Sequence, residues 1–568
     1  MPAMMEFPDI AIRTIAWGKV LLVAGGAAAA YLLLRRPRQP WLFAALLSAL
    51  MVAFYLVLVW PLQRMWWGNN GDEMFILAYL SQVLKGSPWN DFYYHGLPQF
   101  YPPLYFWLAG LVSRLFAENA VTAAKFGVAT AFGIWFLGTY VVLRIHDRRS
   151  DRDVRQPDRS WWWVLIPLAF LFLLDFSDVF LKPYKTLPGL GVALWIGLYA
   201  REIAMKRWRP LTYAFFGISG GLLFLTYYFW WFMAIPVMLA LALSAPNRRA
   251  ALARFCGVGV IMFAVASPYV VPLLLSYQGG MENWQAFYFQ AADFSTWLPF
   301  ADWGWRMPLA LAGFAGLILL RRDPFVRGNL CLLGFSYLYQ FGSILLYLVG
   351  SHPLQAANPF KFLANAALAV GAVALGQWVW DRYVAGRGEP VRQGAVVAML
   401  VVSLPLWPMT GFLDNDITRL RLIESLPPSQ MAALAPKLAA AVPDWQTRTW
   451  LTSGTPDLNA YLPIHYFVAH NPHFSHHASR YGERFQVIEQ LAAAGSAAQF
   501  SDALTQTPID AMLFWKNDAS GEYPFFFWMD NYPNAGKEGK RTFSREVVDG
   551  LGWTRAYEDG SWIIYLKP

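Results

Sequence analysis

The sequence predicts a mainly α-helical polytopic membrane protein. About twelve transmembrane helices and surface-lying helices in the outer loops precede a small C-terminal α/β domain outside the membrane. Three observations lead there. Of 568 residues, 57% are hydrophobic and only 14% charged, a balance unlike that of soluble globular domains. Apolar runs long enough for a hydrocarbon core of ~30 Å recur along the first 410 residues. Basic residues gather in alternate loops, as they do where loops stay on the cytoplasmic side. An aromatic share of 17%, with 28 Trp, suits belts at the membrane–water interface.

The apolar runs fall near 16 to 34, 41 to 61, 124 to 145, 161 to 179, 186 to 202, 211 to 228, 230 to 245, 252 to 276, 307 to 320, 328 to 350, 361 to 380 and 392 to 410. Six loops rich in Lys and Arg, from "RRPRQP" to "DRYVAGRGEPVR", alternate with loops nearly free of positive charge. The basic loops therefore belong in the cytoplasm, and the loop after the second run lies outside. This alternation requires "YPPLYFWLAGLVSRLF", Tyr101 to Phe116, to lie along the outer surface rather than cross; its Pro pair and Arg114 agree. The run from Trp17 to Leu34 is followed by basic residues rather than a small-residue cleavage site, so it reads as a span and not a signal peptide.

From about Gly411 the composition changes, which divides the chain into a transmembrane domain, 1–410, and a soluble domain, 411–568. In the latter, "RTWLTSG", "DAMLFWKN" and "SWIIYLK" read as strands, and "YGERFQVIEQLAAAG" and "SAAQFSDALTQ" as helices. The net charge of +9 reflects loop orientation, and no basic run is dense enough for nucleic acid. Cys256 and Cys331 lie in apolar runs without metal or disulfide spacing. "GISGG" at Gly217 lacks the Lys-Ser/Thr of a phosphate loop, and "SHHAS" at Ser475 has no second ligand cluster, so no metal or cofactor is indicated; a divalent ion stays open.

The outer loops carry the chemistry. Asp72 and Glu73 stand side by side after Asn70 and Gly71, just past the second run. The same face holds Asp91, Tyr94, His95 and Tyr101 in an aromatic-rich stretch, then Asp175, Asp178, Lys182 and Lys185, and finally His352 and Lys361; Tyr227, near the end of the run from 211 to 228, is a further candidate for substrate binding. Transfer from a lipid-linked sugar needs both signs of charge: a carboxylate to take the acceptor's proton, and cations to receive a departing phosphate. Asp72 or Glu73 fits the base; Lys182, Lys185, His352 and Lys361 fit the phosphate. A solvated loop acid and snorkelling lysines are the plain alternatives. A twelve-span transporter or flippase is the competing class, yet such proteins tend to show similar halves and mid-span charges.

The order of "NGDE" at Asn70, "YPPLYFWLAG" at Tyr101, "KPYK" at Lys182 and "NPFKFLANAALA" before the last runs resembles the GT-C membrane glycosyltransferases, most of all the AftA-type arabinofuranosyltransferases. In the outer domain the stretch from His476 to Trp515, "DNYPN" at Asp530 and "RTFSREV" look similar too. The resemblance implies an inverting transfer of D-arabinofuranose from polyprenyl-phosphate arabinose, such as decaprenylphosphoryl arabinose. The acceptor is an envelope glycan or glycoprotein: cell-wall galactan, a pilin or another glycan. Another polyprenyl-phosphate sugar remains open as donor. It also implies a bacterial plasma membrane with the active site and C-terminal domain on its outer side, Asp72 as general base and Glu73 assisting.

Overall fold

The computed structural model describes residues 8–36, 39–116, 119–150, 161–174, 176–203, 208–282, 284, 304, 306–350, 360–384, 387–388, 408–531 and 534–568. It falls into two compact units, each assembled from separate stretches of chain: 1–62, 125–267 and 294–427 in the first, and 63–124, 268–293 and 428–568 in the second. Residues 63–124, the segment after the second apolar run, group with the C-terminal residues.

The first unit is helical. Among the described residues of the whole chain, six helices are long and apolar enough to cross a membrane, as befits a multi-pass membrane protein: Asp9–Arg35, Pro40–Val59, Ala120–Ile145, Arg248–Gly279, Pro324–Leu348 and Lys361–Tyr383. Their ends carry ordinary helix signals. Asp9 and Arg35 sit where the helix dipole favours each charge. Pro40 and Pro324 occupy first-turn positions that need no amide donor, and Asp323 caps its helix by accepting from the amides of Phe325 and Val326.

The other expected runs behave differently, so the count of about twelve is not reached by these criteria. Trp162–Leu173 and Met307–Leu319 are apolar but short. Pro183–Ile203 has the length and carries Lys185 and Arg201. Pro210–Thr226 and Tyr228–Leu243 form a pair bent by 119°, and most of 392–410 lies outside the described residues. The bend falls at Tyr227, whose extended backbone (φ −161°, ψ 97°) interrupts the helical hydrogen-bond ladder. Elsewhere in this unit, Met307–Leu319 and Asn365–Tyr383 meet backbone to backbone. A Cβ on Gly313 would lie 2.4 Å from the Leu368 carbonyl oxygen, so only glycine permits this crossing.

The second unit is built around a five-stranded mixed sheet. Its strands are β1 (Thr449–Thr452), β2 (His465–Tyr466), β3 (Ile509–Trp515), β6 (Thr554–Glu558) and β7 (Trp562–Leu566), after counting the hairpin β4 (Tyr523–Asn531) and β5 (Asn534–Phe543). The order is β2-β1-β3-β7-β6, parallel from β2 to β3 and antiparallel beyond. Strands β3 and β7 are central, and their near-continuous apolar sequences follow from burial on both faces. Helices Tyr481–Ala493 and Ala497–Thr505 cover the core through Ile488, Leu491, Phe500 and Leu504. The expected α/β elements are therefore present, and the hairpin is an addition. Arg541 on β5 ties it to the helix by a two-pronged pair with Glu489 at 2.6 and 2.7 Å.

The same unit holds the segment 63–124 that follows the second apolar run. Helix Asp72–Lys85 packs against the ten-residue helix Leu104–Ser113, where Gly110 leaves room for the Val83 side chain. Leu108, Leu111 and Val112 on the short helix are exposed while Tyr105, Phe106 and Ala109 are buried. One apolar face thus remains outward, the pattern of a helix lying in an interface.

Candidate active site

Asp72 and Glu73, adjacent in sequence, have different surroundings. The chain reverses over Gly68, Asn69 and Gly71, all in the left-handed region, and enters helix Asp72–Lys85. Gly71, at φ 58° and ψ −133°, holds a conformation essentially closed to other residues. Glu73 is 1% exposed. Its Oε1 accepts from the Trp67 amide at 2.8 Å and its Oε2 from the Asn69 amide at 3.0 Å. Both oxygens therefore hold the turn closed. Asp72, at the first position of the helix, is half-buried, and Asn70 beside it is exposed. The helix N-terminus favours a negative charge at Asp72.

The aromatic stretch forms a packed wall. Phe75 stacks on Tyr101 and Tyr79 on Phe106, each at 4.3 Å between centroids. The Tyr269 hydroxyl donates to the Phe100 carbonyl at 2.6 Å. Most of the expected substrate contacts in this stretch are buried and bonded within the second unit. Tyr101 is buried in its stack. The buried Tyr94 hydroxyl pairs with Ser475 at 2.9 Å and accepts from the Ala469 amide, and Arg484 lies over its ring. Only His95 is exposed; its ring meets that of the buried His465 at 5.2 Å.

Asp91 is 1% exposed. Its Oδ1 accepts from the amides of Tyr93 and Tyr94 at 2.9 Å, while Oδ2 has no partner among the described residues. Burial pushes its carboxyl up to about 7 from an ordinary 3.8, against the opposing pull of those amides. Between these two values the folded chain keeps a proton that the unfolded chain has released. The group's contribution to stability is thus greatest at low pH and declines as pH rises to about 7. Asp91→Asn keeps the Oδ1 acceptor and carries no charge. We expect it to raise Tm at pH 8 and to flatten the Tm profile between pH 4 and 7; an unchanged profile would count against a buried, titrating Asp91.

In the first unit, residues far apart in sequence meet. Lys361 lies on a π-helical turn, Phe360–Ala364, a local widening that often accompanies functional positions. It pairs with Asp178, whose other oxygen is 3.5 Å from Lys182 one helical turn along. Lys185 is 7% exposed, with its ammonium 5.4 Å from the Tyr184 ring and 5.8 Å from that of Tyr227. Tyr227 is the residue at the 119° bend, and Trp230 just beyond it donates to the Lys185 carbonyl at 3.0 Å. Two cations, Lys361 and Lys182, thus share one carboxylate, and Lys185 stands against aromatic rings on the same stretch, a setting suited to an anion such as phosphate. Tyr184 was not singled out from the sequence; its place beside the "KPYK" lysines was the available signal. Asp175 and His352 lie outside the described residues. Among the described residues, no three His, Cys, Asp or Glu side chains gather as a metal site would need.

The chain is similar to known proteins along most of its length. The family described as "Arabinofuranosyltransferase N terminal" matches residues 10–125, a stretch that includes Asp72, Glu73 and the whole aromatic wall up to Phe106. The chain is similar to the AftA-type arabinofuranosyltransferases. It is 22% identical over 527 residues to the galactan 5-O-arabinofuranosyltransferase of Mycobacterium tuberculosis, covering 82% of this chain and 75% of that protein. It is also 22% identical over 558 residues to the enzyme of that name from Mycolicibacterium smegmatis, covering 90% and 84%. Likeness along most of both lengths supports a glycosyltransferase. The cryo-EM structure of arabinofuranosyltransferase AftD from mycobacteria matches 91% of this chain and 39% of its own, at 15% identity and a TM-score of 0.51. That match is a likeness of fold.

Proposed function

We propose that the protein transfers D-arabinofuranose from a polyprenyl-phosphate donor to a hydroxyl of an envelope glycan, on the outer side of the plasma membrane, by a single inverting displacement. The observation that carries this reading is the unequal setting of the two acids. Glu73 has both oxygens committed to amides of its own turn, whereas Asp72 stands partly exposed at the helix start. Asp72 takes the proton of the acceptor hydroxyl as its oxygen bonds to the anomeric carbon. The bond from that carbon to phosphate breaks, and polyprenyl phosphate leaves with the bonding pair. A positioned base of this kind contributes about 10²–10⁴-fold. Lys182, Lys185 and Lys361 receive the phosphate, whose charge competes with Asp178 for the lysines. Galactan is the acceptor that the named relatives point to, and a pilin or another glycan would present the same hydroxyl chemistry.

Lys361→Met tests the phosphate role. Loss of one charge-assisted contact, worth about 1.5–3 kcal/mol, should lower kcat/KM for polyprenyl-phosphate arabinose by about 10–100-fold, with KM for a galactofuranosyl acceptor unchanged. An equal rise in acceptor KM would assign the lysine to the wrong substrate.

A further inference from the structure

Asn69 is one of two non-glycine residues at positive φ among those described, at 66°. A left-handed conformation disfavours an L side chain by roughly 1–2 kcal/mol, and glycine would adopt it freely. Asparagine tolerates it, and here its amide is fully used. Asn69 is 1% exposed. Its Oδ1 accepts from the Met65 amide at 2.9 Å, and its Nδ2 donates to Asp457 Oδ1 at 2.6 Å, with the Tyr461 hydroxyl at 3.5 Å. Asp457 comes from a short 3₁₀ turn, Pro456–Ala460, nearly 400 residues along the chain. Its other oxygen accepts from the Ser429 hydroxyl, and Ser429 caps the helix Gln430–Ala441.

The C-terminal segment thereby reaches the turn that bears the two acids. The backbone of Asn69 donates to Glu73 while its side chain is held by Asp457. The same segment grips the far end of the acid-bearing helix, where Lys85 donates to the Tyr461 carbonyl at 2.7 Å. Asn459 adds a bond to the Phe92 carbonyl at 3.1 Å. Asp72 follows directly on the Gly68 to Gly71 turn, so the direction of its carboxylate depends on the path of that turn, which is pinned at Asn69.

We propose that Asp457 is a positioning residue for proton abstraction: through Asn69 it fixes the turn so that Asp72 faces the acceptor hydroxyl. The inference rests on Asp72 being the base. It gives residues 428–568 a part in the rate of transfer, separate from any contact with the acceptor.

The test is an exchange of the pair in the full-length protein, assayed with polyprenyl-phosphate arabinose and a synthetic galactofuranosyl oligosaccharide. Asn69→Asp alone sets two carboxylates against each other and should lower kcat by about 10²-fold with donor KM little changed. Asp457→Asn alone keeps an acceptor for Asn69 and a partner for Ser429, so its loss should be about threefold or less. The double variant Asn69→Asp with Asp457→Asn restores one donor against one acceptor and should recover most of kcat. Asn69→Gly, which fits the backbone without strain, keeps the test open if Asn69→Asp does not fold; it too should lose kcat when assayed well below its own Tm. Wild-type kcat in Asn69→Gly, or no recovery in the double variant, overturns the proposal. Asp72→Asn in parallel separates the two ideas: an active Asp72→Asn defeats the assignment of the base, whereas a failed exchange beside an inactive Asp72→Asn defeats only the pin.

Discussion

Asp72→Asn should abolish arabinose transfer while leaving the protein folded. Asp72 is half-buried at the first position of its helix, and asparagine keeps its size and its acceptor oxygen there; the lost interaction with the helix dipole costs about 0.3–1 kcal/mol. The change removes the proposed base. We expect kcat to fall by about 10²–10⁴-fold, with donor KM and Tm close to wild type. Near-normal turnover by the variant would end the assignment of Asp72 as base.

Glu73→Ala should act in the opposite manner, through structure first. The carboxylate accepts two backbone amides in a site from which water is excluded, and alanine leaves both donors unpaired. Each costs about 1–3 kcal/mol, so thermal unfolding should shift down markedly and activity should fall with it. Glu73→Gln retains one acceptor oxygen and should recover part of both. If Glu73→Ala kept its Tm and lost only kcat, Glu73 would be taking part in the chemistry and the division of labour between the acids would be wrong. The two variants together distinguish a base from a staple, a difference that an assay of activity alone would miss.

The acid pair was visible in the sequence, but the difference between its members was not. Adjacent carboxylates look alike until the chain's reversal at Gly68 to Gly71 aims two amides at one of them. Asp178 and Lys182 are four residues apart, a spacing that puts them on one helix face, and that much was legible. Their meeting with Lys361 depends on tertiary packing that no local pattern records. Hydropathy likewise reads length and not direction. The aromatic run at Tyr227 to Trp231 continues the apolar signal smoothly, yet the chain bends there by 119°. The strands β3 and β7 were recoverable because continuous burial leaves a continuous apolar sequence. Asp91 and Tyr94 read as substrate contacts because acids and rings in a loop suit a sugar; the bonds they make, Asp91 within its own turn and Tyr94 with Ser475 and Ala469, carry no local signal. Asp457 lies in "TPDLNAY", which carries no motif, and its relation to Asn69 exists only in the folded chain.

The most direct measurement is to incubate purified full-length protein with labelled polyprenyl-phosphate arabinose and a synthetic galactofuranosyl oligosaccharide, and to follow product and linkage by NMR. The account predicts a labelled arabinofuranosyl glycoside with inverted anomeric configuration, polyprenyl phosphate released in equal amount, and neither product from Asp72→Asn. A glycoside of retained configuration, or movement of the intact lipid donor across a vesicle bilayer with no glycoside formed, would contradict it.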